Sequence, residues 1–380
     1  MSASHILHRG RSVFSKLNKK YRLPAATTTT SESTSSSASS ICSYSTPSSS
    51  DTTLSSSTDT TIPTTNAQQQ QQEQDPQEAA KAQQFFELGQ QLLFGRYGHS
   101  KDEAAAVEYY RMAAQLGSGG GHLEAQAALA FCYEFGLGIQ ADFVEAERLY
   151  ILAAERNNGL ALSRLAFLRK YGRPSVKIDR IESEYWQQKI NQQGPAALAW
   201  LMEAASVDNH DCCQYALGVC YHDGVGVEKN PTEAFHWYLK SAEQGNARGQ
   251  GILGYCYGEG FGVERDRQKA MYWYGIAAEQ GDSVALYNIG YCYEDGLGVE
   301  RNPEEAVKWY RLSAELGNAF AQNSLGYCYE DGVGIEQNLE LAAEWYTKSA
   351  EQGYPWAECN LGYCNQNGIG LPKDNAKGAY

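Results

Sequence analysis

In this 380-residue chain, 31 Lys and Arg are set against 45 Asp and Glu for a net charge of −14, and because the first 31 residues hold six of the cations and no acid, the remainder is more acidic still. Such a body repels nucleic acid and anionic lipid, whose binding depends on neutralising phosphates with cations. No stretch approaches the roughly 20 apolar residues that span a bilayer, and the first 30 residues lack the apolar core of a secretory signal, so the expected partners are other proteins, extended or basic segments in particular, and the expected location is the cytoplasm.

The first 24 residues place Ile6, Leu7, Val13, Phe14, Leu17 and Tyr21 at helical spacing, with Arg9, Lys16, Lys19 and Lys20 mostly elsewhere on the wheel. Acid-poor amphipathic starts of this kind are read as mitochondrial presequences, as membrane-surface helices or as plain basic tails. Residues 27–65 are dominated by Ser and Thr, and Gln68–Gln74 reads QQQQQEQ. Such sequence buries too little apolar surface to offset chain entropy, so residues 1–78 read as a disordered tail. Ser12 and Thr46, before Pro47, are candidate phosphorylation sites of the kind any Ser/Thr-rich tail contains.

From residue 79 a fixed period takes over. Gly218, Gly254, Gly290, Gly326 and Gly362 are 36 residues apart, and so are Trp237, Trp273, Trp309 and Trp345. A period of this size means a solenoid. Looser copies precede these: one contains Leu88-Gly89 and Tyr109-Tyr110, another runs from His122 to Gly159, and a third begins near Leu160 and resumes at Trp200, which implies an insertion near 169–192. The count is about seven repeats and a partial eighth.

Each repeat reads as two helices. Ala285, Ile289, Cys292 and Tyr293 form one stripe at about 100° per residue, with Asp282 placed to cap its start and Gly296 to end it. Asn302-Pro303-Glu304-Glu305 supplies a cap, a proline at the first helical position and two acids at the positive end of the dipole, so a second helix begins there. Ala306, Tyr310, Ser313 and Ala314 are its buried stripe, with Trp309 beside them. Cys220, Cys256, Cys292, Cys328 and Cys364 recur one per repeat on the core stripe, which makes them reduced packing residues rather than a disulfide framework. The Gly-x-Gly that follows reads as a tight turn. It follows a helix and has no Gly-Lys-Ser/Thr ending, unlike a phosphate loop.

The unit "GYCYEDGLGVERNPEEAVKWYRLSAELGN" resembles the Sel-1-like repeat, a relative of the tetratricopeptide repeat, over roughly residues 82–380. Here Ile289 takes the leucine place of the family pattern, followed by Gly290, Tyr293, Gly296 to Val299, Ala306, Trp309-Tyr310 and Ala314 to Gly317. The resemblance implies an all-α, right-handed α-solenoid used as an adaptor, in a family whose members range from degradation adaptors and fungal chitin synthase regulators to mitochondrial assembly factors and bacterial secreted proteins. The secreted cysteine-rich branch pairs cysteines between the two helices, and this chain has Ser241, Ala277 and Ser313 near the second place. The chain ends PKDNAKGAY before any Trp-Tyr helix of the last repeat, as an unusual cap or a fragment would.

On the first helix, positions about 180° to 240° from Ala285 face away from the core stripe. Stacking turns them into ladders: Tyr255, Tyr291, Tyr327 and Tyr363; Tyr215 and Tyr287 with Asn323; Glu294 and Glu330. In solenoids the first helix commonly lines the concave surface, and tyrosines with carboxylates suit a segment carrying Arg, Lys or Pro. Equally, duplication alone repeats such wording, with the tyrosines covering neighbouring helices. His210, Cys212, Cys213, Cys220 and His222 have metal-ligand residue types, but helical spacing scatters them, so no metal is expected. No G-x-S-x-G or H-E-x-x-H occurs and the seven histidines form no repeated pattern with acids and nucleophiles. The chain therefore reads as a non-catalytic protein-binding scaffold without cofactor, or alternatively as a mitochondrial assembly or stress factor imported by its N-terminus, with an enzyme a distant third.

Overall fold

A computed structural model of the chain describes residues 76–116, 121–374 and 376. The amphipathic start, Ser12, Thr46 and the low-complexity stretches lie outside the described residues. Helices α1 (Pro76–Phe94) and α2 (Glu103–Gln115), α3 (Leu123–Phe135) and α4 (Phe143–Glu155), and α5 (Gly159–Tyr171) and α6 (Arg180–Asn191) form three antiparallel pairs. A 3-10 turn at Pro195–Leu198 and a short helix, α7 (Ala199–Ser206), lead into four regular pairs. These are α8 (Asp211–Asp223) with α9 (Pro231–Glu243), α10 (Ala247–Glu259) with α11 (Arg267–Glu279), α12 (Ser283–Asp295) with α13 (Pro303–Glu315), and α14 (Ala319–Asp331) with α15 (Leu339–Glu351). Helix α16 (Pro355–Asn367) is a first helix without a second among the described residues. The protein is an all-α solenoid of tandem helix-turn-helix repeats.

The helices begin and end where their capping residues dictate. Asp282 Oδ1 accepts the Ala285 N–H at 2.7 Å, and Gly296 ends α12 in the left-handed region at φ +71°. Asn302 Oδ1 accepts the Glu305 N–H at 3.0 Å, with Pro303 as the first helical residue of α13.

The first glycine of each Leu-Gly pair has a steric reason. A Cβ on Gly290 would stand 2.7 Å from Tyr310 Cδ1, and at Gly218, Gly254 and Gly326 the same atom would meet Tyr238, Tyr274 and Tyr346 at 2.6, 2.6 and 2.7 Å. The tyrosine ring of the second helix lies directly on the backbone of the first. Tyr310 and Tyr346 are 0% and 1% exposed, and the cysteines two residues beyond the glycine are buried with them. The second glycine of Gly-x-Gly sets the next spacing: a Cβ on Gly262, Gly334 or Gly370 would lie 2.1, 2.3 or 1.9 Å from the carbonyl oxygen of Pro231, Pro303 or Leu339. Each of those residues opens the second helix of the preceding repeat. One glycine thus closes the repeat and the other stacks it.

Residues 180–191, expected as part of an insertion, are instead the third repeat's own second helix, with Ser183, Trp186 and Ile190 buried. The added element is the segment 195–206. Trp200, Ala204 and Ala205 reproduce the Trp-to-Ala spacing of a second helix, which is why the sequence pattern resumes there. The loop between α5 and α6 reaches far across the stack, for the Ile178 N–H donates to the Gln352 carbonyl at 2.9 Å and Pro174 Cγ comes within 3.5 Å of a Cβ placed on Gly317.

First helices of neighbouring and of more distant repeats also meet. Arg164 of α5 holds Glu134 of α3 through Nε at 3.0 Å and Nη2 at 2.5 Å, both side chains fully buried, and Arg248 of α10 donates to the Glu134 carbonyl at 2.8 Å. Only a curved stack with the first helices on its inner face brings repeats two, three and five together in this way.

Trp309 is the most enclosed of the repeated tryptophans at 0% exposure, whereas Trp237 is half-buried. In urea unfolding, Trp309→Ala should therefore cost about 3–5 kcal/mol and Trp237→Ala distinctly less. Gly290→Ala should cost about 1–3 kcal/mol through overpacking against Tyr310. Wild-type midpoints for Trp309→Ala and Gly290→Ala would contradict this packing.

Candidate interaction surface

The position of Tyr291 in the α12 wheel, about 240° from Ala285, is solvent-facing in three successive repeats. Tyr291, Tyr327 and Tyr363 are 41%, 43% and 55% exposed. Asp295 and Asp331 follow one turn later and are exposed. Burial and the neighbouring Asp295 together push the Tyr291 phenol up to about 12, so the ring is a neutral hydrogen-bond donor at physiological pH. Tyr255, the fourth member, is half-buried beside His222 and Phe261, with ring centroids 6.1 and 6.5 Å away.

The other two ladders are turned inward. Tyr215 is 6% exposed and fenced by Phe135, Phe167 and Tyr238 at centroid distances of 6.1, 6.4 and 6.1 Å. Tyr287 is half-buried against Tyr310 and Phe320 at 5.6 and 5.9 Å, and Asn323 Oδ1 accepts from Asn360 Nδ2 at 3.0 Å. Glu294 accepts the Tyr310 hydroxyl and Glu330 accepts the Tyr346 hydroxyl, the latter at 2.6 Å. Burial raises the Glu294 carboxyl, with the Tyr310 hydrogen bond opposing it. These carboxylates are committed inside their own repeats. The reason is geometric: an arc of 180° to 200° faces the tyrosine that the Leu-Gly glycine admits, and the open arc lies further round, at about 240° to 280°. Asp295, Asp331, Val284 (43% exposed) and Trp356 (58% exposed) sit on or beside that arc. The 36-residue spacing of Asp295 and Asp331 was visible in the sequence; their orientation depended on where the second helix packs.

In the first half of the stack the inner face is filled. Arg164 lies over Phe167 at 4.4 Å and Arg248 over Phe135 at 4.5 Å, and although burial alone would raise the Glu134 carboxyl, Arg164, Arg248 and Arg173 hold it below its usual range. The cluster of metal-ligand residue types divides. Cys213 and Cys220 are core residues, and His222 stacks on Phe261 at 4.1 Å. His210, Asp211 and Cys212, by contrast, offer ligand atoms within 4.8 Å of one another. Helical spacing does not scatter them, because His210 is the residue before α8 rather than part of it. No described helix is long and apolar enough to cross a membrane.

The Sel1 repeat model matches residues 86–118, 123–158, 213–246, 247–282, 283–318, 319–354 and 357–380, more than half of the chain. This chain belongs to the Sel1 repeat family. Its curated relatives include chitin synthase regulatory factors 3 and 2 of Schizosaccharomyces pombe. Each is 30% identical, over 151 residues (40% of this chain, 14% of factor 3) and 148 residues (38% of this chain, 26% of factor 2). The chain thus spans about a quarter or less of the length of these relatives. Among solved structures, a Sel1 repeat protein from Oxalobacter formigenes is 28% identical, with 80% of this chain and 82% of that one covered and a TM-score of 0.42. The protective antigen c5321 of uropathogenic Escherichia coli, which displays an SLR fold, is 27% identical with 79% and 75% covered and a TM-score of 0.35. Sel1 repeat proteins generally mediate protein–protein interactions.

The Sel1 repeat cysteines are packing groups. Cys220, Cys256, Cys292 and Cys328 are buried, and burial pushes each thiol up to about 12. With Cys42 replaced by Ser, a thiol reagent at pH 8 should label exposed Cys359 quickly and these four only after unfolding. Rapid native labelling of Cys292, read by peptide mass spectrometry, would contradict their place in the core.

Proposed function

We propose that this Sel1 repeat protein is a non-catalytic adaptor whose last repeats bind extended, basic segments of other proteins along the first helices α12, α14 and α16. The observation that carries this reading is the exposed ladder of Tyr291, Tyr327 and Tyr363, interleaved with Asp295 and Asp331. Successive first helices touch through side chains, Tyr287 of α12 with Phe320 of α14 and Asn323 of α14 with Asn360 of α16, so their tyrosines form one row across the repeats. An extended segment laid across α12, α14 and α16 meets these rungs in turn. Tyrosine faces accept Arg and Lys through cation–π contact and Pro through stacking, while the carboxylates pair with the cations. The two yeast relatives are regulatory factors by name, which accords with recruitment rather than chemical conversion.

A fluorescein-labelled peptide of about a dozen residues with Arg, Lys and Pro in alternation tests the surface by fluorescence polarisation. Tyr291→Ala combined with Tyr327→Ala should weaken binding about tenfold or more, as loss of central aromatic anchors does, and leave the melting curve almost unchanged, because both rings are already exposed. Unchanged affinity, or a loss of stability as large as that of Trp309→Ala, would overturn the assignment.

A further inference from the structure

Most first helices here begin with a side chain that accepts a backbone N–H: His122, Asn158, Asn246, Asp282 and Asn318 each do so. His210 stands at that place before α8 and makes no such bond. Its side chain is 3% exposed, its ring meets the Phe94 ring edge-on at 5.5 Å, and neither ring nitrogen has a hydrogen-bond partner. A neutral imidazole has one donor and one acceptor. Burying both unmet costs stability, as any orphaned buried polar group does, and at a position where Asn would cap the helix this points to a ligand that meets them.

That ligand has two further groups waiting for it. Asp211 Oδ1 is 3.8 Å from His210 Nδ1, and the Cys212 sulfur is 3.8 Å from Asp211 Oδ2. Asn246 Nδ2, from the start of the next repeat, donates to Asp211 Oδ2 at 2.8 Å and to the Cys212 sulfur at 3.3 Å. The orientation of that amide is fixed because its Oδ1 accepts the Gly249 N–H at 2.9 Å. A donor aimed at both a carboxylate and a sulfur orients them as outer-shell partners orient metal ligands. The cluster borders a cleft lined by Phe94, Lys101, Asp208, Asn209 and Gln244, which leaves a path to solvent.

We propose that His210, Asp211 and Cys212 bind one zinc-class divalent ion, through imidazole nitrogen, carboxylate oxygen and thiolate sulfur, with a fourth position open to water from the cleft. Ligands at about 2.0–2.3 Å in a tetrahedral shell lie some 3.3–3.8 Å from one another, and the three ligand atoms here, all within 4.8 Å of one another, would draw together by up to about an ångström on binding. The mixed N, O and S set suits a borderline-soft ion rather than calcium or magnesium, which take oxygen ligands. A neutral imidazole, one carboxylate and one thiolate balance the charge of the ion, and the thiol proton leaves to solvent on binding. Such a site would pin the junction between α7 and α8, where the stack departs from its regular repeat.

The test uses the untagged full chain, reduced and stripped of metal, titrated with Co2+. One equivalent should bind with a thiolate-to-cobalt charge-transfer band, Zn2+ should displace it, and Zn2+ should raise the melting temperature. Cys212→Ser should abolish the band and Cys213→Ser should retain it. His210→Asn restores the capping residue that starts α10 and α14, so it should fold at least as well as wild type without metal, yet lose the band and the zinc-dependent rise in melting. Absence of the band from wild type, or its persistence in either His210→Asn or Cys212→Ser, would overturn the site.

Discussion

The contact between a glycine of one helix and a tyrosine ring of the next is what the rest of this structure depends on. With no side chain at Gly218, Gly254, Gly290 or Gly326, the ring of Tyr238, Tyr274, Tyr310 or Tyr346 lies on bare backbone, and the two helices of the repeat approach more closely than a methyl group would allow. The ring then carries its hydroxyl to the residue four places beyond the glycine, which is Glu294 in one repeat, Glu330 in the next and His222 earlier. A buried hydroxyl needs such an acceptor. In the first repeat Leu93 stands at that place, and the Tyr110 hydroxyl is buried without a partner. Packing and polar pairing are thus one device in the repeats of α8, α12 and α14, whereas in that of α10 the acceptor place is Gly258 and only the packing remains.

From that device follows a division between two sets of tyrosines that the sequence repeats with equal regularity. Those of the second helix hold the repeat together, and those at the Tyr291 position are left facing outward from α12, α14 and α16. The division does not extend over the whole inner face. Toward the N-terminal repeats curvature brings Glu134, Arg164 and Arg248 together and closes Tyr215 in. A buried ion pair of this kind is strongly destabilising to break but adds little beyond what apolar packing would; its consequence here is to fill the groove, so that on the first helices the exposed tyrosines are those of α12, α14 and α16.

Much of this was legible in the sequence. The 36-residue period, the capping Asp and Asn residues, Pro303 at a helix start and the cysteines on the core stripe all express local rules of spacing and backbone geometry. What could not be read was anything that depends on two helices meeting. Glu294 and Glu330 were placed on the right helix but on an arc that faces the packed tyrosine. Tyr215 obeys the same spacing as Tyr287 and is buried only because repeats two, three and four converge on it. Segment 180–191 was hidden because it carries a second helix with Ser183 where alanine recurs, Gln187 where tyrosine recurs and Ile190 where serine or alanine recurs, while Trp200 and Ala204 imitate one further on. His210 and Cys212 look scattered if both are placed on a helix wheel, and come together once His210 is seen to precede the helix.

The central claim is that two equally repeated sets of tyrosines have opposite roles, one buried as the joint of each repeat and the other free on the inner face. Hydroxyl-radical footprinting of the native full chain, read by mass spectrometry at each tyrosine, measures that division directly. The account predicts fast modification of Tyr291, Tyr327 and Tyr363 and slow modification of Tyr238, Tyr310 and Tyr346. Comparable rates in the two sets, or protection of Tyr291 and Tyr327 in the isolated chain, would contradict it.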